Sequence, residues 1–168
     1  MRIAITGPES TGKSELARDL SKHYNIVFVP EFAREYLSQL GRSYNQTDLT
    51  IIARGQLSYW NQFDKGQSFI SDSEMITMKI WSEVKYQKCD EYILQALSNQ
   101  KFDQYLLCYP DLLWQADKLR EHPSKEDRLN LFSLYKKEFD HLGFKYDIIT
   151  GNSAARLNSA VKIIDRRL

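Results

Sequence analysis

Cysteine is scarce in the 168 residues, with only Cys89 and Cys108 present, and their spacing matches neither a C-x-x-C motif nor a disulfide framework. Both read as packing residues. The three histidines, His23, His122 and His141, have no ligand spacing, which argues against a metal held by protein side chains alone. No apolar run approaches the roughly 20 residues that cross a bilayer, and Met1 to Ile5 is too short for the apolar stretch of a secretory signal. A cytosolic protein without a membrane partner is expected. Neither sign of charge is in excess, since 23 Lys+Arg face 22 Asp+Glu for a formal net charge of +1. That balance argues against a nucleic-acid partner bound through bulk phosphate attraction. There are only seven glycines and four prolines, and no repeat, low-complexity tract or linker. One domain over 1–168 is therefore expected, with a real core, because 42% of residues are hydrophobic and 27% charged.

What is present is an alternation of short β-type runs with longer amphipathic stretches. Arg2 to Thr6, Ile26 to Val29, Ser68 to Ser71, Tyr105 to Tyr109 and Tyr146 to Thr150 read as strands, and four of the five are too apolar to face water on one side. Helices are expected over Lys13 to Tyr24, Phe32 to Leu40, Asp48 to Phe63, Glu74 to Tyr86, Asp90 to Ser98, Lys125 to Leu142 and Ala154 to Arg167. Strands separated by helices predict βαβ units, hence an α/β fold with a parallel sheet covered on both faces. The polar stretch after Pro110, about 110–127, reads as a lid beyond the fourth strand, at the edge where such sheets bind ligands.

Gly7-Pro8-Glu9-Ser10-Thr11-Gly12-Lys13-Ser14 matches G-x4-G-K-S/T and lies between a strand and an amphipathic helix, the context this phosphate loop requires. Gly7 and Gly12 permit torsions that turn consecutive N–H groups inward around a phosphate, and the following helix adds its positive end. Lys13 can reach the outer phosphates, while the Ser14 hydroxyl can hold a Mg²⁺ that bridges two of them. ATP with Mg²⁺ is the expected nucleotide; the fourth strand ends in Cys108-Tyr109-Pro110-Asp111, without the N-K-x-D pattern of a guanine-selective switch.

The acidic residues must decide what the phosphate is used for. Glu31 follows the second strand, on the same rim as the loop, and can accept the proton of an attacking hydroxyl while Arg34 steadies a charged group. Glu31, Arg34 and Glu35 are equally consistent with a surface charge set at i, i+3, i+4 spacing. Asp72 closes the third strand, where a second Mg²⁺ contact is expected; Asp72 or Ser73 can also cap the next helix, with Glu74 favoured by its dipole. Arg120 is the preferred lid arginine and Arg128 the second, against a reading of both as solvated charge. Helically spaced Ile52, Leu57, Trp60, Phe63 and Met75, Met78, Ile80, Trp81 read as core, although Tyr36, Tyr59 or Trp60 can stack on a ring. Thr150 to Asn152 are placed against adenine with Arg156 covering the ring, unless Asn152 or Ser153 simply caps the last helix.

On these residues the sequence resembles the ribosylnicotinamide kinase domain at the C-terminal end of the bifunctional bacterial NAD-salvage regulator, a P-loop ATPase family. The carriers are Gly7 to Ser14, Glu31-Phe32-Ala33-Arg34-Glu35-Tyr36, Asp72-Ser73-Glu74 and Ala116-Asp117-Lys118-Leu119-Arg120. The resemblance implies a P-loop fold like that of nucleoside and nucleotide kinases, with five parallel strands in the order 2-3-1-4-5. It also implies ATP-dependent phosphorylation of a riboside 5′-hydroxyl, with Glu31 at the position of the base and Arg120 in the lid; Asp72 stays open as the alternative base, and Arg34, Tyr36 and Glu74 are expected near the substrate. That family also has adenylyltransferase and DNA-binding parts, for which this chain is expected to be too short. A small-molecule riboside is the expected partner, with a homo-oligomer left open. The rivals are a nucleotide-dependent switch acting on a protein partner and a polynucleotide 5′-kinase.

Overall fold

The apolar run Ile3-Ala4-Ile5 forms the middle of the central strand β1 (Arg2–Thr6), with all three side chains fully buried. Around it the computed structural model, which describes residues 1–63 and 66–167, arranges a five-stranded parallel sheet. The other strands are β2 (Val27–Val29), β3 (Phe69–Asp72), β4 (Gln104–Cys108) and β5 (Tyr146–Ile149), in the order β2-β3-β1-β4-β5. The register pairs Ile5 with Asp72 on one side and with Leu106 on the other, so the C-terminal ends of β1, β3 and β4 share one rim. Only β3 and β4 are buried along their whole length, with β1 buried from Ile3 onward. The apolar β2 is an edge strand that leaves Val27 46% exposed, and β5 at the other edge leaves Ile148 42% exposed, so fewer strands are enclosed than their apolar sequences suggest.

Helices α1 (Lys13–Tyr24) and α7 (Ser153–Asp165) cover one face, burying Leu16, Leu20, Ala160 and Ile164 against Ile3, Ile5 and Leu106. The opposite face carries α2 (Phe32–Gln39), α3 (Gln46–Asn61), α4 (Met75–Tyr86), α5 (Glu91–Asn99) and α6 (Lys125–Leu142) over a larger, aromatic-rich core. Local signals set the boundaries. Asn45 caps α3 in a reciprocal box with Asp48, which starts that helix two residues earlier than its apolar spacing suggests. Ser124 caps α6, and Gly143 ends it in a left-handed turn. Among the described residues, no helix is long and apolar enough to cross a membrane.

The cap of α4 departs from expectation. Asp72 is still in strand β3, and Ser73 turns the chain at φ 80°, so the capping side chain is Glu74, which accepts from the N–H groups of Ile76 and Thr77.

Candidate active site

Between β1 and α1 the loop is shaped by three left-handed or near-left-handed residues: Gly7 (φ 129°), Ser10 (φ 57°) and Gly12 (φ 75°). Gly7 is required twice over, since a Cβ there would also lie 2.7 Å from the Cys108 carbonyl oxygen of β4. The Thr11 hydroxyl donates to Pro8 O at 2.7 Å, so its proton is committed and a phosphate oxygen can take only its backbone N–H. Lys13 Nζ donates to the same carbonyl at 2.8 Å, folding the ammonium over the loop it is expected to serve. Glu9 and Ser10 reach the segment after β4: Glu9 Oε2 accepts from Glu121 N at 3.0 Å and Glu9 Oε1 from His122 N, while Ser10 Oγ accepts from Gln115 N at 3.1 Å.

Across the loop, the Ser14 hydroxyl lies beside the Asp72 carboxylate, which is 3% exposed. Burial raises the Asp72 carboxyl, opposed by the Ser14 hydroxyl and by Lys13, Arg18 and Arg34. Its Oδ1 is buried and has no hydrogen-bond partner among the described residues. A buried carboxylate oxygen without a donor, beside a hydroxyl and a phosphate cradle, is the donor set a hydrated Mg²⁺ takes. The residues fit that ion.

Glu31 occupies the N-cap position of α2, yet its side chain makes no cap hydrogen bond. Gln56 of α3 does that work instead: its Oε1 accepts from Phe32 N at 2.8 Å and its Nε2 donates to Pro30 O at 3.3 Å. The Glu31 carboxylate is thereby left for the cavity it lines. Burial, then the neighbouring Asp72, pushes its pKa up to about 7 against the pull of Lys13 and Arg34. Glu31 is thus a carboxylate able to gain and lose a proton near neutrality.

One cavity of about 960 Å³ joins two lobes. The first is the phosphate loop, Arg18 and Ser153. The second lies between α2, α4 and α6, lined by Leu37, Thr77, Ile80, Trp81, Leu131 and Tyr135, with Glu31 also on the cavity wall. Residues 109–124 form its roof. Arg34 Nη1 binds Asp117 Oδ2 at 2.9 Å, and Glu121 accepts from Lys85 Nζ at 2.6 Å and from Tyr44 OH at 2.7 Å. Arg120 lines the cavity and reaches Ser10 Oγ at 3.4 Å.

Several expected site residues are brought together: Gly7 to Ser14, Glu31, Arg34 and Arg120 all line this cavity, with Asp72 beside Ser14. Others are not. Arg156, 1% exposed, bonds the carbonyls of Ile149, Tyr109 and Gly151 and the Asp111 carboxylate, so it cannot lie over a ring; a guanidinium needs that many acceptors to be buried. Asn152 caps α7 by accepting from Ala155 N at 3.0 Å, and Thr150 is exposed and outside the cavity lining. The Tyr36 hydroxyl donates to Asp48 at 2.6 Å, which Arg42 clamps at 2.7 and 2.8 Å, away from the cavity. Tyr59 donates to Glu35, and Trp60 is buried, its indole N–H on Ser71 Oγ at 2.8 Å. Glu74 is 1% exposed beneath the cavity wall, bonded to Thr6, Gln100 and the α4 amides, and makes no part of the lining. Arg128, 3% exposed, donates to Leu112 O at 3.3 Å and packs on Trp114, supporting the stem of the roof.

Sequence reasoning missed Arg18, Thr77, Lys85, Glu121 and Tyr135, and placed Trp81 in the core, although it lines the cavity. Arg18 carries a signal: it lies one helical turn beyond Ser14, on the loop's own helix.

The profile of the AAA domain family matches residues 2–156. The Trifunctional NAD biosynthesis/regulator protein NadR of Escherichia coli (strain K12) is 31% identical over 148 residues, which are 83% of this chain and 34% of that protein. The chain therefore spans about a third of the length of that relative. Among solved structures, a NadR protein in complex with NR superposes with a TM-score of 0.81 at 18% identity, over 98% of this chain and 50% of that one. A deoxyadenosine kinase from M. mycoides, with dCMP and dCDP bound, superposes with a TM-score of 0.64 at 14% identity, over 100% of both chains. The expected likeness to the kinase domain of the NAD-salvage regulator and the expected P-loop fold with strand order 2-3-1-4-5 are both borne out.

Proposed function

The chain belongs to the AAA domain family, and from that premise we propose that it is an ATP-dependent kinase of a riboside 5′-hydroxyl, with nicotinamide riboside the leading acceptor. The relatives in NAD metabolism and the nucleoside-kinase fold support this class, and the second lobe gives an acceptor somewhere to sit. The single observation that carries the reading is Glu31. It is a carboxylate that no helix cap uses, on the wall of the cavity that holds both lobes, with a pKa pushed up to about 7.

The loop N–H groups and Lys13 hold the β- and γ-phosphates, which requires the ammonium to leave Pro8 O. Ser14 and Asp72 would hold Mg²⁺, whose charge would neutralise the phosphate oxygens. The riboside enters the second lobe with its base against Trp81 and the apolar side chains of α4 and α6, and its 5′-hydroxyl toward Glu31. Glu31 takes the hydroxyl proton as the oxygen bonds to the γ-phosphorus and the bond to the β-phosphate oxygen breaks, giving ADP and a 5′-phosphate. Arg120, on the roof beside Ser10, supplies positive charge to the equatorial oxygens, and the roof excludes water.

The test is a panel of ribosides with Mg-ATP, following ADP and phosphorylated product together. Riboside-stimulated ADP formation supports the kinase; an acceptor-independent rate favours a nucleotide switch.

A further inference from the structure

The buried Glu74, although no part of the cavity lining, sets the polarity of a hydrogen-bond chain that ends there. Its Oε2 accepts from Ile76 N at 2.6 Å and Gln100 Nε2 at 3.0 Å, and the amide orientation of Gln100 is fixed because its Oε1 accepts from Met75 N at 3.0 Å. Its Oε1 accepts from Thr6 Oγ1 at 2.8 Å and Thr77 N at 3.3 Å. A hydroxyl has one proton, so Thr6, having donated to Glu74, can only accept. The Thr77 hydroxyl lies 3.3 Å from Thr6 Oγ1 and donates to Glu74 Oε1 at 3.5 Å, so its proton points inward. Thr77 is left as the acceptor for Tyr135, whose hydroxyl donates to it at 3.1 Å.

Every proton in the chain thus runs from the cavity wall toward Glu74. Tyr135 is 4% exposed and lines the cavity. Burial first, opposed by the Thr77 hydrogen bond and then joined by the carboxylates of Glu74, Glu31 and Glu9, keeps its hydroxyl protonated, which also places Tyr135 within the field of the proposed base. With its proton committed to Thr77, its oxygen offers a ligand lone pairs alone. A phosphate oxygen finds no donor there, whereas a sugar hydroxyl finds an acceptor.

We infer that Tyr135 is a specificity-determining residue of the acceptor site, whose oxygen accepts a hydrogen bond from a secondary hydroxyl of the sugar and so selects ribosides over the matching deoxyriboside. The inference rests on the riboside-kinase reading above and adds to it the residue that reads the sugar. Neither Thr77 nor Tyr135 belongs to the sequence motifs, because the chain is assembled from β1, α4, α5 and α6.

The experiment measures kcat/KM of the whole protein with Mg-ATP for a riboside and its 2′-deoxy and 3′-deoxy counterparts, in wild type, Tyr135→Phe and Thr77→Val, each checked by thermal melting. The wild type is expected to prefer the riboside over one deoxy analogue by at least about tenfold. Tyr135→Phe lowers the riboside value by about that factor and leaves the disfavoured analogue within about twofold, so the preference collapses. Thr77→Val frees the tyrosine proton and is expected to erode the same preference, which keeps the inference testable if the phenylalanine variant does not fold. An equal fall for all three acceptors, an unchanged ratio in the variants, or no preference in the wild type overturns the role of Tyr135 while leaving the kinase standing. A wild type that phosphorylates no nucleoside overturns both.

Discussion

Arg34 Nη1 donates to Asp117 Oδ2 at 2.9 Å, joining helix α2 to the roof, and both groups act on Glu31 between them. The guanidinium favours the ionised form of Glu31 and the aspartate opposes it, so the proposed base is tuned by the contact that holds the roof.

Arg34→Met removes the cation that lowers the Glu31 pKa. The midpoint of the kcat/KM–pH profile is expected to move to higher pH, measured with riboside and Mg-ATP. Because Arg34 is half exposed, stability should change by less than about 1 kcal/mol in urea titration. An unmoved midpoint would show that Arg34 does not act on the base.

The Glu31 pKa of about 7 has two consequences of opposite sign. Catalysis needs the ionised form, so kcat/KM should rise with pH through about 7 and level off above it. Folding behaves otherwise: the folded state binds the proton more tightly than the unfolded chain, so stability is lost as pH rises from the unfolded carboxyl value toward about 7. Glu31→Gln removes that loss and should be more stable than wild type at pH 8 while nearly inactive. Paired denaturation curves at pH 5 and pH 8 check it; a variant less stable at both would contradict the raised Glu31 carboxyl.

Gly7→Ala tests the loop. The added methyl meets the Cys108 carbonyl at 2.7 Å with φ at 129°, and a cost of at least about 2 kcal/mol is expected along with loss of nucleotide binding. A folded variant that binds Mg-ATP as the wild type does would show that the close approach to β4 is not needed.

The chemistry near the start of the chain was readable because it is local. Gly7 to Ser14 carry their own strand and helix, and the apolar runs at Ile3 to Ile5 and Tyr105 to Cys108 announce buried strands. The second lobe was not readable, since Trp81 and Tyr135 lie 54 positions apart, on helices whose spacing looks like ordinary core, and only packing of α4 on α6 turns them into a wall. Arg156 misled for a related reason. Its position near the last strand suggests a ligand contact, but burial commits its guanidinium to the carbonyl ends of β4 and β5. Glu74 looked like a motif residue beside Asp72 and is instead a helix cap, a distinction that depends on the turn at Ser73.

Arg156→Met should therefore act on stability. Removing it takes the cation from Asp111, which keeps the Gly151 N–H, and the side-chain donor from the Gly151, Ile149 and Tyr109 carbonyls, of which the last two keep backbone donors, at about 1–3 kcal/mol. The folded fraction, measured at low temperature, should keep its affinity for Mg-ATP within about threefold, since the side chain lies outside the cavity that holds the phosphate loop. A large loss of affinity without a loss of stability would restore Arg156 to the nucleotide site.

The most direct measurement is product formation from nicotinamide riboside and Mg-ATP, with ADP and nicotinamide riboside 5′-phosphate quantified in the same reaction. The predicted result is one phosphorylated riboside for each ADP, no product with Lys13→Ala, and a fall of at least about a hundredfold with Glu31→Gln. ADP released at one rate whatever acceptor is offered, with no phosphorylated riboside, would contradict the account.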